Sequence, residues 1–202
     1  MIFSNIALSS AITQGGLMLK IEGTSFEIFA LSPHVEKTIA PSGEVITRRT
    51  LPAEQMYRYR YQGDISLLRV ITSRFMLAVK TLCVENATRF DGVVVVPPPM
   101  ARKDFGPVLS FAKDISRLTA IPLLQFAVKD CTPATDGVQK PKRMFAFSSP
   151  EASKVFIGKR ILVIDDIYRS GRSLGSFCRL LVDEGGALGV TVLVGSAVDA
   201  PV

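Results

Sequence analysis

Apolar positions come in short blocks at the start of the chain and lengthen into continuous runs further on. Between residues 17 and 31 two apolar runs, LMLKI and FEIFAL, are split by Glu22-Gly23-Thr24, which predicts a β-hairpin. Residues 34–52 are richer in turn formers, among them Pro41-Ser42-Gly43 and Pro52, with room for a third short strand around 44–48. Tyr57, Tyr59 and Tyr61 alternate with Arg58 and Arg60, the pattern of an amphipathic strand with one face buried. Asp64 stands as a helix N-cap. Behind it Leu68, Ile71, Phe75, Ala78 and Leu82 recur at three or four residue intervals. They form one helical face, which should fade near Asn86.

From Asp91 the texture changes. Val93-Val94-Val95-Val96 is an unbroken β-branched run, the mark of a strand buried on both faces. Pro97-Pro98-Pro99 ends it, because proline cannot continue a central strand. A helix over 107–118 follows, then a short strand over 121–126. Residues 129–141 hold Pro, Gly, Asp and Lys without periodicity and predict a mobile loop. A buried strand over 160–164 comes after the turn Gly158-Lys159. A helix over 173–184 stops at Gly185-Gly186, and a last strand covers 190–194.

Strand and helix thus alternate through the second half. That predicts an α/β fold with a doubly wound parallel sheet, whose ligands bind beyond the carboxyl ends of the strands. The preceding part reads as a small β-rich N-terminal cap. The division predicted is a cap over 1–60 and an α/β core over 61–202.

Composition sharpens this in three ways. Of 202 residues 48% are hydrophobic and 21% charged, enough to bury a core. The formal charge of +6 suits an anionic ligand such as a phosphate ester. Cys83, Cys131 and Cys178 are scattered and His34 is the only histidine, which argues against a disulfide framework or a zinc site. No Lys or Arg precedes Lys20, and no run of about 18 apolar residues occurs, so a cytoplasmic protein without a membrane span is expected.

The chemistry concentrates in Ile161-Leu162-Val163-Ile164-Asp165-Asp166-Ile167-Tyr168-Arg169-Ser170-Gly171-Arg172-Ser173-Leu174. An apolar strand ends in two carboxylates, then comes a short loop, then a helix. The first turn of a helix offers unpaired N–H groups and a favourable dipole for an anion. Gly171 lets the backbone approach a phosphate closely. Ser170 and Ser173 add hydroxyl donors, and Ser173 is placed to cap the helix. The carboxylates repel a phosphate but suit the hydroxyls of an adjoining ribose, or Mg²⁺. Gly171-Arg172-Ser173-Leu174-Gly175 also spells the nucleophile elbow of α/β-hydrolases. Too many residues separate strand and serine for that, and His34 precedes the serine instead of following it.

This segment resembles the motif by which type I phosphoribosyltransferases bind 5-phosphoribosyl-1-pyrophosphate (PRPP). The order of other features, Tyr57 to Gly63, Val95-Val96-Pro97-Pro98-Pro99, Lys142-Arg143 before Phe145-Ala146-Phe147, and Gly158-Lys159-Arg160, is most similar to the competence protein F branch. The cysteine-rich zinc segment common at the start of that branch is absent. The resemblance implies roles position by position. Asp165 and Asp166 would hold the ribose diol and Mg²⁺. Arg169, Ser170, Gly171, Arg172 and Ser173 would surround the 5-phosphate. Pro99, Met100, Ala101 and Arg102 match the pyrophosphate loop. Residues 129–143, from Lys129 on, match a flexible loop that closes over the reacting centre, where Lys140, Lys142 and Arg143 would neutralise departing pyrophosphate. Arg169 and Arg172 stand where smaller residues are common in the family.

The activity implied is transfer of phosphoribosyl from PRPP to a nitrogenous acceptor such as a nucleobase, in a homodimer. A second reading is a non-catalytic PRPP-binding regulatory or competence-like module assisting DNA uptake or transcription. Direct nucleic-acid stacking on Tyr57, Tyr59 and Tyr61 is not favoured over a buried strand face, and His34 reads as a loop residue without a catalytic role.

Overall fold

The computed structural model describes residues 8–13, 16–21, 25–85, 89–97, 106–124, 127–129 and 145–198. Five strands come first: β1 (Leu8–Thr13), β2 (Gly16–Ile21), β3 (Glu27–Ala30), β4 (Val35–Ile39) and β5 (Val45–Arg49). Helices α1 (Leu51–Gln62) and α2 (Leu68–Glu85) follow, then β6 (Gly92–Val95), α3 (Gly106–Thr119), β7 (Ala127–Lys129) and β8 (Phe145–Phe147). The chain continues through α4 (Pro150–Lys154), β9 (Arg160–Tyr168), α5 (Arg172–Arg179) and β10 (Gly189–Ala197).

A six-stranded sheet runs in the order β1-β2-β3-β10-β9-β6, and β4-β5 and β7-β8 are separate hairpins. β6 and β9 pair in parallel, Gly92 opposite Ile161 through Val95 opposite Ile164. All four residues of β6 are buried, as the valine run predicts. The predicted hairpin is present as β2 and β3, antiparallel with Leu19 opposite Ala30. β1 adds to β2 in the same sense, so this edge of the α/β sheet is antiparallel. The chain divides into two compact units, Met1–Arg89 with Asp165–Arg169 and Val192–Val202, and Phe90–Ile164 with Ser170–Thr191. In the first, α2 buries Ile71, Phe75, Val79 and Leu82. In the second, Phe111 and Ile115 of α3 are fully buried, as are Ile161 to Ile164, and Phe145 meets Phe177 edge-on at 5.3 Å.

Four local expectations change. Tyr57 to Tyr61 lie in helix α1, not in a strand. Thr50 caps it with an extended backbone and accepts the Ala53 N–H at 3.4 Å, proline occupies the first turn, and Gly63 ends it at φ 69°. Ala53, Met56 and Tyr59 form its buried stripe, so three-residue spacing outweighs the alternation. Tyr57 and Tyr61 are then one turn apart, with ring centroids 5.1 Å apart.

Asp64 opens a single 3-10 turn, Ile65–Leu67, ahead of α2 and makes no side-chain cap bond there. Its carboxylate accepts from Ser66 and Arg58, each at 2.5 Å; the Ser66 hydrogen bond first, then the bond and charge of Arg58, hold it below the usual carboxylate range.

Over 121–124, the described part of the strand expected at 121–126, there is one parallel bridge, Leu123 with Val93. The Pro122 carbonyl accepts the Val93 N–H at 2.8 Å, but Pro122 has no N–H of its own to extend a ladder.

The fourth change concerns β9. It does not stop at Ile164 but runs on to Tyr168, taking both aspartates into the strand.

Candidate functional site

Asp165 and Asp166 are consecutive strand residues and therefore face opposite sides of the sheet. Their burial follows that alternation: Asp165 is half-buried and Asp166 is 4% exposed. The Asp166 N–H donates to Asp165 Oδ1 at 2.9 Å, and the Ile167 N–H donates to Asp166 Oδ1 at 2.7 Å. Each carboxylate thus takes the next backbone donor, a local pattern that competes with ladder bonding near a strand end. The remaining oxygen of Asp166, Oδ2, forms an ion pair with Arg60 of α1. A buried carboxylate needs such a partner.

Arg60 is the neighbour of Asp166 that sequence reading misses. Its place in the Tyr/Arg alternation hides it, and nothing local marks its distant partner. Gly195 of β10 completes the surroundings: a Cβ there would lie 2.8 Å from the Asp166 carbonyl oxygen and 2.7 Å from Met56 Cε. Only glycine permits this approach.

After Tyr168 the chain bends through Arg169 and Ser170, both exposed, to Gly171. Gly171 is left-handed, φ 65° and ψ −1°, and is the N-cap of α5. Ser173 is therefore the second residue inside the helix and not its cap, as no side chain caps this end. Arg172 is exposed and Ser173 half-buried. Strand, acidic pair, glycine turn and helix start thus follow one another as the sequence order requires, with the first-turn N–H groups of α5 at the turn. Burial pushes the Tyr168 hydroxyl above its ordinary value.

His34 lies beside the end of the same strands. Its Nδ1 and Ser196 Oγ are 3.0 Å apart, and Ser196 is wholly buried. Burial, with the positive charges of Arg49 and Arg169, lowers the His34 pKa below its ordinary value.

Of the remaining predicted residues, Lys129 is the last residue of β7, opposite Phe145 of β8. Pro99, Met100, Ala101, Arg102, Lys140, Lys142 and Arg143 lie outside the described residues. Among the described residues no group of three or more His, Cys, Asp or Glu is assembled to hold a metal ion, and no helix is long and apolar enough to cross a membrane.

No family model matches the chain, and neither does any curated protein. Solved structures do resemble it at low identity. Adenine phosphoribosyltransferase from Saccharomyces cerevisiae is 14% identical, with 82% of this chain and 85% of that one covered and a TM-score of 0.48. The corresponding values are 11%, 81%, 95% and 0.44 for adenine phosphoribosyltransferase from Thermoanaerobacter pseudethanolicus. For orotate phosphoribosyltransferase from Aeropyrum pernix they are 15%, 81%, 88% and 0.40.

Proposed function

We propose that this chain binds PRPP with Mg²⁺ and transfers its phosphoribosyl group to a nitrogenous acceptor, releasing pyrophosphate. The observation that carries the reading is the turn at Gly171. A left-handed glycine caps α5 without a side-chain cap, three positions after β9 has delivered Asp165 and Asp166 to its carboxyl end. Backbone N–H groups and the helix dipole there favour the 5-phosphate, with Ser170 and Ser173 as further donors.

The two aspartates take different parts in this reading. Asp166 is engaged by Arg60 and fixes the strand end against α1. Asp165, half-buried, is the carboxylate that would meet the ribose hydroxyls. Mg²⁺ is commonly held by one or two carboxylates together with substrate phosphates, so a single carboxylate fits an ion that arrives with PRPP. Bound there, Mg²⁺ would neutralise charge developing on the departing pyrophosphate. The residues Lys140, Lys142 and Arg143 would add positive charge to the same leaving group. Pro99, Met100, Ala101 and Arg102, following β6, would face the pyrophosphate. The work asked of the protein is positioning and electrostatic stabilisation, with no covalent intermediate.

Calorimetric titration with PRPP and Mg²⁺ tests the reading, beside the Asp165→Asn variant. Saturable binding that weakens at least tenfold in the variant is expected, which corresponds to about 1.4 kcal/mol. A folded wild-type protein that takes up no PRPP would sink the proposal. Pyrophosphate release in the presence of candidate nucleobases then identifies the acceptor.

A further inference from the structure

Two loops of the second unit meet where β9 and β10 begin, at Arg160 and Gly189. The Gly158 N–H donates to the Gly186 carbonyl at 2.9 Å, and the Leu188 N–H to the Lys159 carbonyl at 2.8 Å. Both glycines are exposed and left-handed, at φ 69° and 65°. They leave bare backbone beside two large apolar side chains, Ile157 at 63% and Leu188 at 64% exposure. A Cβ at Gly186 would lie 3.5 Å from Ile157 Cγ1, so the loops abut. A single exposed leucine is ordinary. Two apolar side chains on one joined platform, rimmed by charge, mark an interaction surface. Small ligands of α/β sheets bind at the other, carboxyl end of the strands.

We infer that this platform is a contact between two copies of the chain related by a two-fold axis. The charges around it select that occupant. Residues 154–160 hold Lys154, Lys159 and Arg160 and no acid, whereas residues 182–188 hold Asp183 and Glu184 and no base. Asp91 accepts the Arg160 N–H at 2.9 Å and offsets that charge. Lys154, Lys159 and Asp183 make no ion pair among the described residues. One loop is thus basic and its bonded neighbour acidic. A two-fold axis through such a surface sets the basic loop of each copy against the acidic loop of the other, twice over. A partner of one charge sign would be repelled by one of the two loops. The glycines let the facing backbones approach closely, so that Ile157 and Leu188 of both copies leave water together. This contact is independent of the function proposed above.

Sedimentation velocity of the full chain over a range of concentrations measures the association. A monomer–dimer equilibrium is expected, weakened at least tenfold by Ile157→Asp and by Leu188→Asp. Both positions are exposed, so the fold should be kept, and circular dichroism checks that it is. Lys154→Glu/Lys159→Glu makes both loops acidic, and Asp183→Lys removes the net acidity of the other loop. Each variant alone should lose dimer to a similar degree, and an equimolar mixture of the two should regain it as a heterodimer. A wild-type monomer at every concentration up to the solubility limit would give the surface to another occupant and overturn the proposal. A dimer of undiminished strength in both aspartate variants would put the contact on another face and overturn it equally. A mixture no stronger than its components would remove the charge pairing that selects a second copy.

Discussion

Arg60 of α1 and Asp166 of β9 form an ion pair in which the Asp166 side chain is almost wholly buried and the Arg60 side chain is 29% exposed. It joins the one helix that sequence periodicity misreads to the strand that carries the acidic pair. Removing one partner leaves the other charge buried without compensation. Arg60→Met should therefore destabilise the protein by about 3 kcal/mol. The double variant Arg60→Met/Asp166→Leu should recover much of that loss, because no buried charge remains. Urea unfolding of the single and double variants measures the coupling. Additive losses would show that the pair contributes nothing as a pair.

Gly195→Ala should cost about 1–3 kcal/mol. The new methyl meets Met56 and the Asp166 carbonyl below 3 Å, and the carbonyl is backbone that cannot rotate away. Thermal unfolding reads the loss. Met56→Ala in the same chain should relieve only the side-chain part.

At Gly171 a side chain meets backbone strain. With φ at 65°, Gly171→Ala costs about 1–2 kcal/mol, and Gly171→Asn less, since asparagine tolerates the left-handed region. The turn also forms the proposed phosphate site, so the affinity for PRPP should fall in the same order, alanine below asparagine below wild type. Calorimetry of the three proteins checks that order.

Thr50→Ala removes the hydroxyl that caps α1 and donates to the Pro33 carbonyl at 2.7 Å. A loss of about 1–2 kcal/mol is expected. Thr50→Ser should retain most of the stability, which guanidine unfolding will show.

The His34 pKa is lowered in the folded protein. The unfolded chain therefore binds more protons than the native one just below the ordinary histidine pKa, ~6.5. His34 contributes its full stability above that value and loses it as pH falls through the lower, folded pKa. Melting temperatures of the wild type should drop over this window on acidification, and His34→Gln should flatten that part of the profile. An unchanged slope in the variant would show that another group governs it.

The sequence by itself determined the elements whose burial is written into local periodicity. The valine run specified β6 as a strand closed on both faces, the Leu68–Leu82 spacing specified α2, and Gly171 marked the turn before α5. These features survive because a strand or helix must bury its apolar positions whatever it packs against. α1 was written locally as well, in Thr50, Pro52 and Gly63, but the tyrosine alternation was a competing signal. It lost to a stripe that packs Ala53, Met56 and Tyr59 into the core.

Only the tertiary structure decided which side chains meet. The sequence presents Asp165 and Asp166 as equals; β9 continuing to Tyr168 sends them to opposite faces, and Arg60 claims one of them. The order that sets β3 beside β10 brings His34 to Ser196. Such partnerships depend on how distant segments close upon one another, and no periodicity within a short window encodes that.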